Sequence, residues 1–175
     1  MINAKRLLRF KSDVDLTPQE VKEAREYIKN YWKLVTRYHP KDDASLLGLP
    51  HEYLVPAYIE ATEFDFNEMY YWDSYFMVQG MLDDQHKDLV IGILDNLIYL
   101  YNRFGIIPNA SRTYLMGRSQ PPFLSSFIFD VYNAYNLGDK WLKEHIKAAE
   151  SEYIDVWMGT IKPKAHLVYQ GLSRY

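Results

Sequence analysis

Apolar residues recur three and four apart through Val21, Ala24, Ile28, Tyr31, Val35 and Tyr38. That period is the mark of an amphipathic helix. Thr17-Pro18-Gln19-Glu20 starts it. Thr17 caps, Pro18 suits the first helical position, and Glu20 closes a capping box. His39-Pro40 ends it, because the residue before proline leaves the α region. A second helix is expected over 67–84 and a third over 85–104, stopped by Gly105. The third carries Leu89, Ile93, Leu97 and Leu100, with Val90, Leu94 and Ile98 widening the stripe. So much apolar surface predicts a helix that is largely buried. Pro121-Pro122 opens a fourth, 123–137, stopped by Gly138, and Asp139 caps a fifth over 140–159. Its apolar positions are Leu142, Ile146, Ala149, Tyr153 and Val156. In the tail, His166-Leu167-Val168-Tyr169 reads as a short extended segment; no other strand pattern stands out.

The pattern is all-α. Tight connections join helices two to three and four to five; long ones, 41–63 and 105–120, join the others. This predicts stacked helical hairpins whose long loops gather at one end. Loops of that length in compact domains are commonly functional. With 175 residues, one domain is expected, 17–175, preceded by an arm, 1–16.

Composition narrows the function. The net charge is −3 and Lys and Arg are dispersed, so nucleic acid is not expected as a partner. There is no cysteine, which removes disulfides, thiolate metal sites and a cysteine nucleophile. No two histidines stand at metal-ligand spacing, and no glycine-rich phosphate loop or Gly-x-Ser-x-Gly elbow occurs, so neither metal nor cofactor is expected. The opening residues lack an apolar leader and no run is long enough to span a bilayer. The expectation is a cytoplasmic protein with no membrane partner.

Two stretches carry candidate chemistry. Phe64 to Phe76 crowds aromatics around Asp65, Glu68 and Asp73. On a helix Trp72 and Phe76 share a face, as do Tyr71 and Tyr75, with Asp73 between. Aromatic plates beside a fixed acceptor suit a sugar, whose C–H faces stack and whose hydroxyls need directed bonds. The plainer alternative is a core helix whose Asp73 bonds a nearby backbone or an arginine. The loop 105–120 gathers Asn109, Ser111, Arg112, Arg118, Ser119 and Gln120. These supply the mixed donors and acceptors that sugar hydroxyls require. The alternative is a polar surface loop with Arg118 paired to Asp73 or Glu68.

Tyr70-Tyr71-Trp72-Asp73-Ser74-Tyr75-Phe76, preceded by Ser45-Leu46-Leu47-Gly48-Leu49-Pro50 and Val55-Pro56, resembles the first signature region of the α,α-trehalases. Ile107-Pro108-Asn109-Ala110-Ser111-Arg112 with Arg118-Ser119-Gln120-Pro121-Pro122 resembles that family's next block, and Leu172-Ser173-Arg174-Tyr175 the segment after it. The resemblance covers about residues 45–175. It implies helical hairpins forming part of an (α/α)6 toroid and an inverting glycosidase, in which one carboxylic acid protonates the leaving oxygen and another carboxylate activates water. It places substrate contacts on Trp72, Asp73, Asn109, Arg118, Ser119 and Gln120. It places no catalytic residue within this sequence, because the family's acid and base lie beyond the Leu172–Tyr175 segment; the chain reads as an N-terminal part, truncated before them. One position departs from the family: Asp65 stands where a substrate-touching arginine is expected. The function implied is hydrolysis of α,α-trehalose to glucose, or of a related α-glucoside, with this chain carrying part of the sugar subsite. The alternative is a non-catalytic helical module that binds carbohydrate or a protein partner. Open apolar sides on the third and fifth helices imply self-association or a missing C-terminal half.

Overall fold

The computed structural model describes residues 17–58, 66–83, 85–159, 168–169 and 172–173. The arm 1–16 lies outside them, as do Asp65, Arg174 and Tyr175. The chain divides into two units, 1–34 and 35–175. In the first, α1 begins at Pro18 and runs to Val35. Its start is the expected capping box: the Thr17 N–H donates to Glu20 Oε2 at 2.7 Å, and the Glu20 N–H to Thr17 Oγ1 at 3.3 Å. Such a box satisfies main-chain donors at the helix start that have no intrahelical partner.

The second unit opens with a strand where more helix was expected. β1, Thr36–Arg37, pairs antiparallel with β2, Tyr53–Leu54, with Thr36 opposite Leu54. β-branched Val35 and Thr36 favour the extended form once a partner is present. The Val55 N–H adds a bond to Val35 O at 2.8 Å.

α2 spans only Tyr71–Val78, much shorter than the 67–84 expected. Residues 69–70 are drawn out of the helix by the loop 105–120. Tyr70 bridges Ala110, the Ser111 N–H donates to Met69 O at 2.9 Å, and the Met69 N–H donates to Ser111 Oγ at 2.9 Å. The same loop grips the first long connection. Leu46 bridges Arg112, the Leu47 N–H donates to Ser111 O at 2.9 Å, and the Thr113 N–H to Ser45 O at 2.8 Å. The two long loops therefore meet along 45–47 and 111–113, as the alternation of tight and long connections requires.

α3, Lys87–Phe104, is close to expectation and ends at left-handed Gly105, φ 69°. Val90, Ile93, Leu94, Leu97 and Leu100 are buried. Asn96 sits fully buried on this apolar stripe. Its Oδ1 accepts the His51 N–H at 3.0 Å and its Nδ2 donates to His51 O at 3.0 Å, so one amide replaces a strand partner for the first loop. α4, Leu124–Ala134, buries Leu124, Phe127, Ile128 and Val131. It stops short of the expected Gly138: Asn136 takes the left-handed conformation, φ 49°, and the Leu137 N–H closes on Tyr132 O at 3.1 Å. Asparagine is among the few residues that tolerate this conformation. Gly138, at φ −70°, is instead the residue before α5, so Asp139 is its first helical residue rather than its cap.

α5, Asp139–Glu152, continues as a π-helical turn, Tyr153–Trp157, in which the Met158 N–H reaches back to Tyr153 O. The widened turn displaces Tyr153 from the expected apolar stripe; it is 57% exposed. α3, α4 and α5 pack on one another. Between α3 and α5, His145 is stacked on Trp141 at 3.8 Å, and its Nε2 lies 3.3 Å from Asp95 Oδ1. In the tail, β3, Val168–Tyr169, pairs with β4, Leu172–Ser173. That pair overlaps the extended segment expected over 166–169.

Candidate functional site

α2 has no local cap: Tyr70 makes no side-chain bond to it. The first N–H groups of a helix lack intrahelical partners and must find others. Gln120 supplies one from 48 residues away, its Oε1 accepting the Trp72 N–H at 2.9 Å. The same amide donates from Nε2 to Asp73 Oδ2 at 3.3 Å. A single side chain thus caps the helix and orients its first-turn carboxylate.

Asn109 and Arg118 are tied through the main chain, the Asn109 N–H donating to Arg118 O at 2.9 Å. Asn109 O in turn accepts the Tyr71 N–H at 3.4 Å. Asp73, Asn109 and Gln120 are half-buried, and Arg118 is exposed. Ser119 is buried and its hydroxyl donates to Gln120 O at 3.2 Å, so it shapes the loop from inside. The six residues picked from sequence are joined by these bonds to the start of α2 or to the loop that caps it.

Trp72 is 40% exposed, which is not the burial of a core tryptophan. Its ring meets Phe76 edge-on at 6.2 Å; Phe76 meets Phe123 at 5.0 Å, and Phe123 stacks on Tyr75 at 4.8 Å. Tyr75 is anchored through its hydroxyl, which donates to Asp130 Oδ2 at 3.1 Å. The aromatic row expected along α2 is therefore extended by Phe123, the residue before α4, and backed by a fixed frame.

Glu68, the second carboxylate of the aromatic stretch, is committed to structure. It is buried, and its Oε2 accepts Arg112 Nε at 3.0 Å. Tyr70 donates its hydroxyl to Oε1 at 3.1 Å. Arg112 reaches on to Ser45 Oγ at 3.1 Å. Burial first, and then the bond to Glu68, push the Tyr70 hydroxyl up to about 12. The arginine that pairs with Glu68 is thus Arg112, not Arg118. Both residues were visible as candidates, but no local spacing reveals a pairing across 44 residues.

A second buried carboxylate had no sequence signal at all. Glu152 sits in Ala149-Glu150-Ser151-Glu152, which reads as a solvated helix face, yet it is 2% exposed. Burial raises its pKa to about 7.

An exposed ring, an oriented carboxylate and the amide that caps the helix are thus brought together at the start of α2. The chain is 35% identical over 147 residues to a periplasmic trehalase of Shigella flexneri serotype 5b, covering 83% of this chain and 24% of that protein. It is 39% identical over 136 residues to a periplasmic trehalase of Salmonella newport, covering 77% and 22%. Among solved structures it resembles the neutral trehalase Nth1 of Saccharomyces cerevisiae, with a TM-score of 0.58 and 30% identity over 85% of this chain and 28% of that one. The chain therefore spans about a quarter of the length of the curated relatives it matches. Its helical hairpins are those of the (α/α)6 toroid class to which that neighbour belongs.

These curated relatives are named periplasmic, which overturns the cytoplasmic location expected above. That expectation rested on the opening residues, and the start of a sequence spanning a quarter of its relatives does not bear on location. The trehalase family model matches residues 4–174, nearly the whole sequence, and on that match this chain belongs to the trehalase family.

Proposed function

We propose that residues 17–175 are the N-terminal part of a trehalase-type inverting glycosidase domain and hold part of its sugar-binding subsite. The sugar is α,α-trehalose or a related α-glucoside. The reading is carried by one observation: Gln120 bonds both the Trp72 N–H and the Asp73 carboxylate, so two sequence blocks far apart in the chain build one surface. Trp72 is the stacking plate. Asp73 accepts from sugar hydroxyls, and Asn109, Arg118 and Gln120 donate to them, with Ser119 holding their loop. The acid and base that cleave the bond are supplied by sequence outside these residues. The apolar stripe of α3 is buried rather than open as expected, and the exposed apolar rings are instead Phe76 of α2 (54%) and Phe129 of α4 (48%), whose exposure supports a covering by self-association or by further helices of the domain.

Isothermal titration of the chain with trehalose and with glucose tests the subsite. Binding is expected in about the millimolar range. Trp72→Ala and Arg118→Ala are each expected to weaken it roughly tenfold or more, with melting temperature nearly unchanged. Binding that is indifferent to both substitutions would refute the assignment.

A further inference from the structure

Glu152 is the last residue of α5 and is not among the groups assigned to the sugar. The Tyr71 hydroxyl does two things. It accepts the Leu124 N–H at 2.8 Å, and it donates to Glu152 Oε2 at 3.1 Å. From the π-helical turn, Trp157 Nε1 points at Glu152 Oε1 at 3.5 Å. Tyr71, Leu124 and Glu152 are almost wholly buried. One carboxylate therefore gathers the first residue of α2, the first residue of α4 and the end of α5. The sugar groups lie immediately along the chain from this joint. Trp72 and Asp73 follow Tyr71, and Arg118, Ser119 and Gln120 precede Leu124. The joint and the Gln120 amide are two parallel fastenings between the same pair of segments, one buried and one at the surface.

We propose that Glu152 is a positioning residue for the sugar site: through the Tyr71 hydroxyl it holds the first turn of α2 against the start of α4, and so sets where Trp72, Asp73 and Gln120 stand relative to one another. What is positioned rests on the sugar-site reading above; the joint itself does not.

The bond directions make the joint sensitive to one proton. A tyrosine hydroxyl has one proton to give and two lone pairs to accept with. Because Leu124 donates to Tyr71, the tyrosine's own proton goes to the carboxylate. A neutral Glu152 can still accept the Tyr71 proton on one oxygen, but that bond is no longer charge-assisted, and the O–H then faces the Trp157 N–H donor on the other oxygen. Burial holds Tyr71 neutral, well above its usual range, while it moves Glu152 into the neutral range. The groups around Glu152 are Tyr71 of α2, Ser125 of α4, Tyr101 of α3 with its partner Asp155, and Glu150, Tyr153 and Trp157 of its own segment. A cavity of about 300 Å³ between Pro122, Ile146, Ala149 and Trp157 lies against it and gives the proton a route to solvent.

The test is the indole N–H signal of Trp72 in 15N-labelled 175-residue chain, followed by NMR from pH 5 to 9. Trp72→Phe assigns it. The signal is expected to titrate with a midpoint near 7. Glu152→Gln, which keeps an acceptor for Tyr71, should abolish the titration and leave sugar affinity within about twofold. Glu152→Leu should displace the signal and weaken sugar binding about fivefold or more, the low end of ordinary site-to-site coupling. Tyr71→Phe is the decisive control, because it leaves both carboxylate and ring in place. The Trp157 indole, which touches Glu152 directly, should still titrate, and that of Trp72 should not. If Trp72 ignores both pH and Glu152→Leu while Trp157 responds, the effect is local and the proposal is overturned. If the Trp72 signal behaves as stated but no variant, nor the parent, binds trehalose or glucose, the joint stands and the sugar-site reading fails.

Discussion

Replacing Glu152 by glutamine should make this chain more resistant to alkaline destabilisation. The carboxyl is buried, and burial disfavours its charged form. Its pKa rises from 4.5 to about 7 on folding. A shift of that size corresponds to about 3 kcal/mol between the two ionisation states. The sign follows from proton counts. Below pH 4.5 the carboxyl is neutral folded and unfolded, and its contribution is fully present. Between 4.5 and 7 the unfolded chain releases the proton that the folded chain keeps, and stability falls. Above 7 both are ionised and the contribution is gone. Glutamine cannot ionise, so the variant lacks this slope. Urea denaturation of both proteins at fixed ionic strength, from pH 4.5 to 8, should show the parent losing about 3 kcal/mol relative to the variant. Other titrating groups are common to both and cancel in the difference. Asp42, held down to about 2 by its bonds to Arg103 and the Gly48 N–H, acts below this window. Burial lowers the pKa of His145, but its bonds to Asp95 and Trp141 O outweigh that and raise it, so it acts within the window or above. A pH-independent difference between the two proteins would show that Glu152 is not held neutral by burial.

Arg112→Ala leaves Glu68 buried beside Tyr70 without its cation. Removing one partner of a buried pair costs about 3–5 kcal/mol, so a large fall in the urea midpoint is expected; a loss under about 1 kcal/mol would mean the pair is solvated. The 175-residue chain assayed by itself is expected to release no glucose from trehalose above background. Inversion needs an acid and a base roughly 6.5–9.5 Å apart, and Asp73 is engaged as an acceptor by Gln120. Glucose release that Asp73→Asn abolishes would make Asp73 catalytic and the subsite assignment wrong.

The helices whose identity rests on local chemistry were readable. α1 shows its capping box and α3 its left-handed glycine. The six positions proposed for the sugar site rest on side-chain chemistry and motif resemblance. Elements decided by distant partners were not readable. Nothing in Asn67-Glu68-Met69-Tyr70 marks it as non-helical; the bonds of Met69 to Ser111 make it so. Thr36 continues a helical period and becomes strand because Leu54 lies opposite. Asn136 and Gly138 are both plausible helix stops, and only the bond from Leu137 to Tyr132 O distinguishes them. Glu152 is invisible for the opposite reason: the pattern of its neighbours says solvent, and burial follows from Tyr71, at the start of α2, arriving against it.

The Gln120 cap also orders events in time. An eight-residue helix without a local cap is too short to persist by itself in water, since nucleating a turn fixes several residues for a single hydrogen bond. α2 therefore waits for a residue 48 positions later to arrive. During synthesis Trp72 and Asp73 leave the ribosome long before Gln120 does. Until that loop closes they belong to a fluctuating segment and present no fixed ring beside a fixed carboxylate. Formation of the helix and assembly of the proposed sugar surface are then one kinetic step, governed by loop closure.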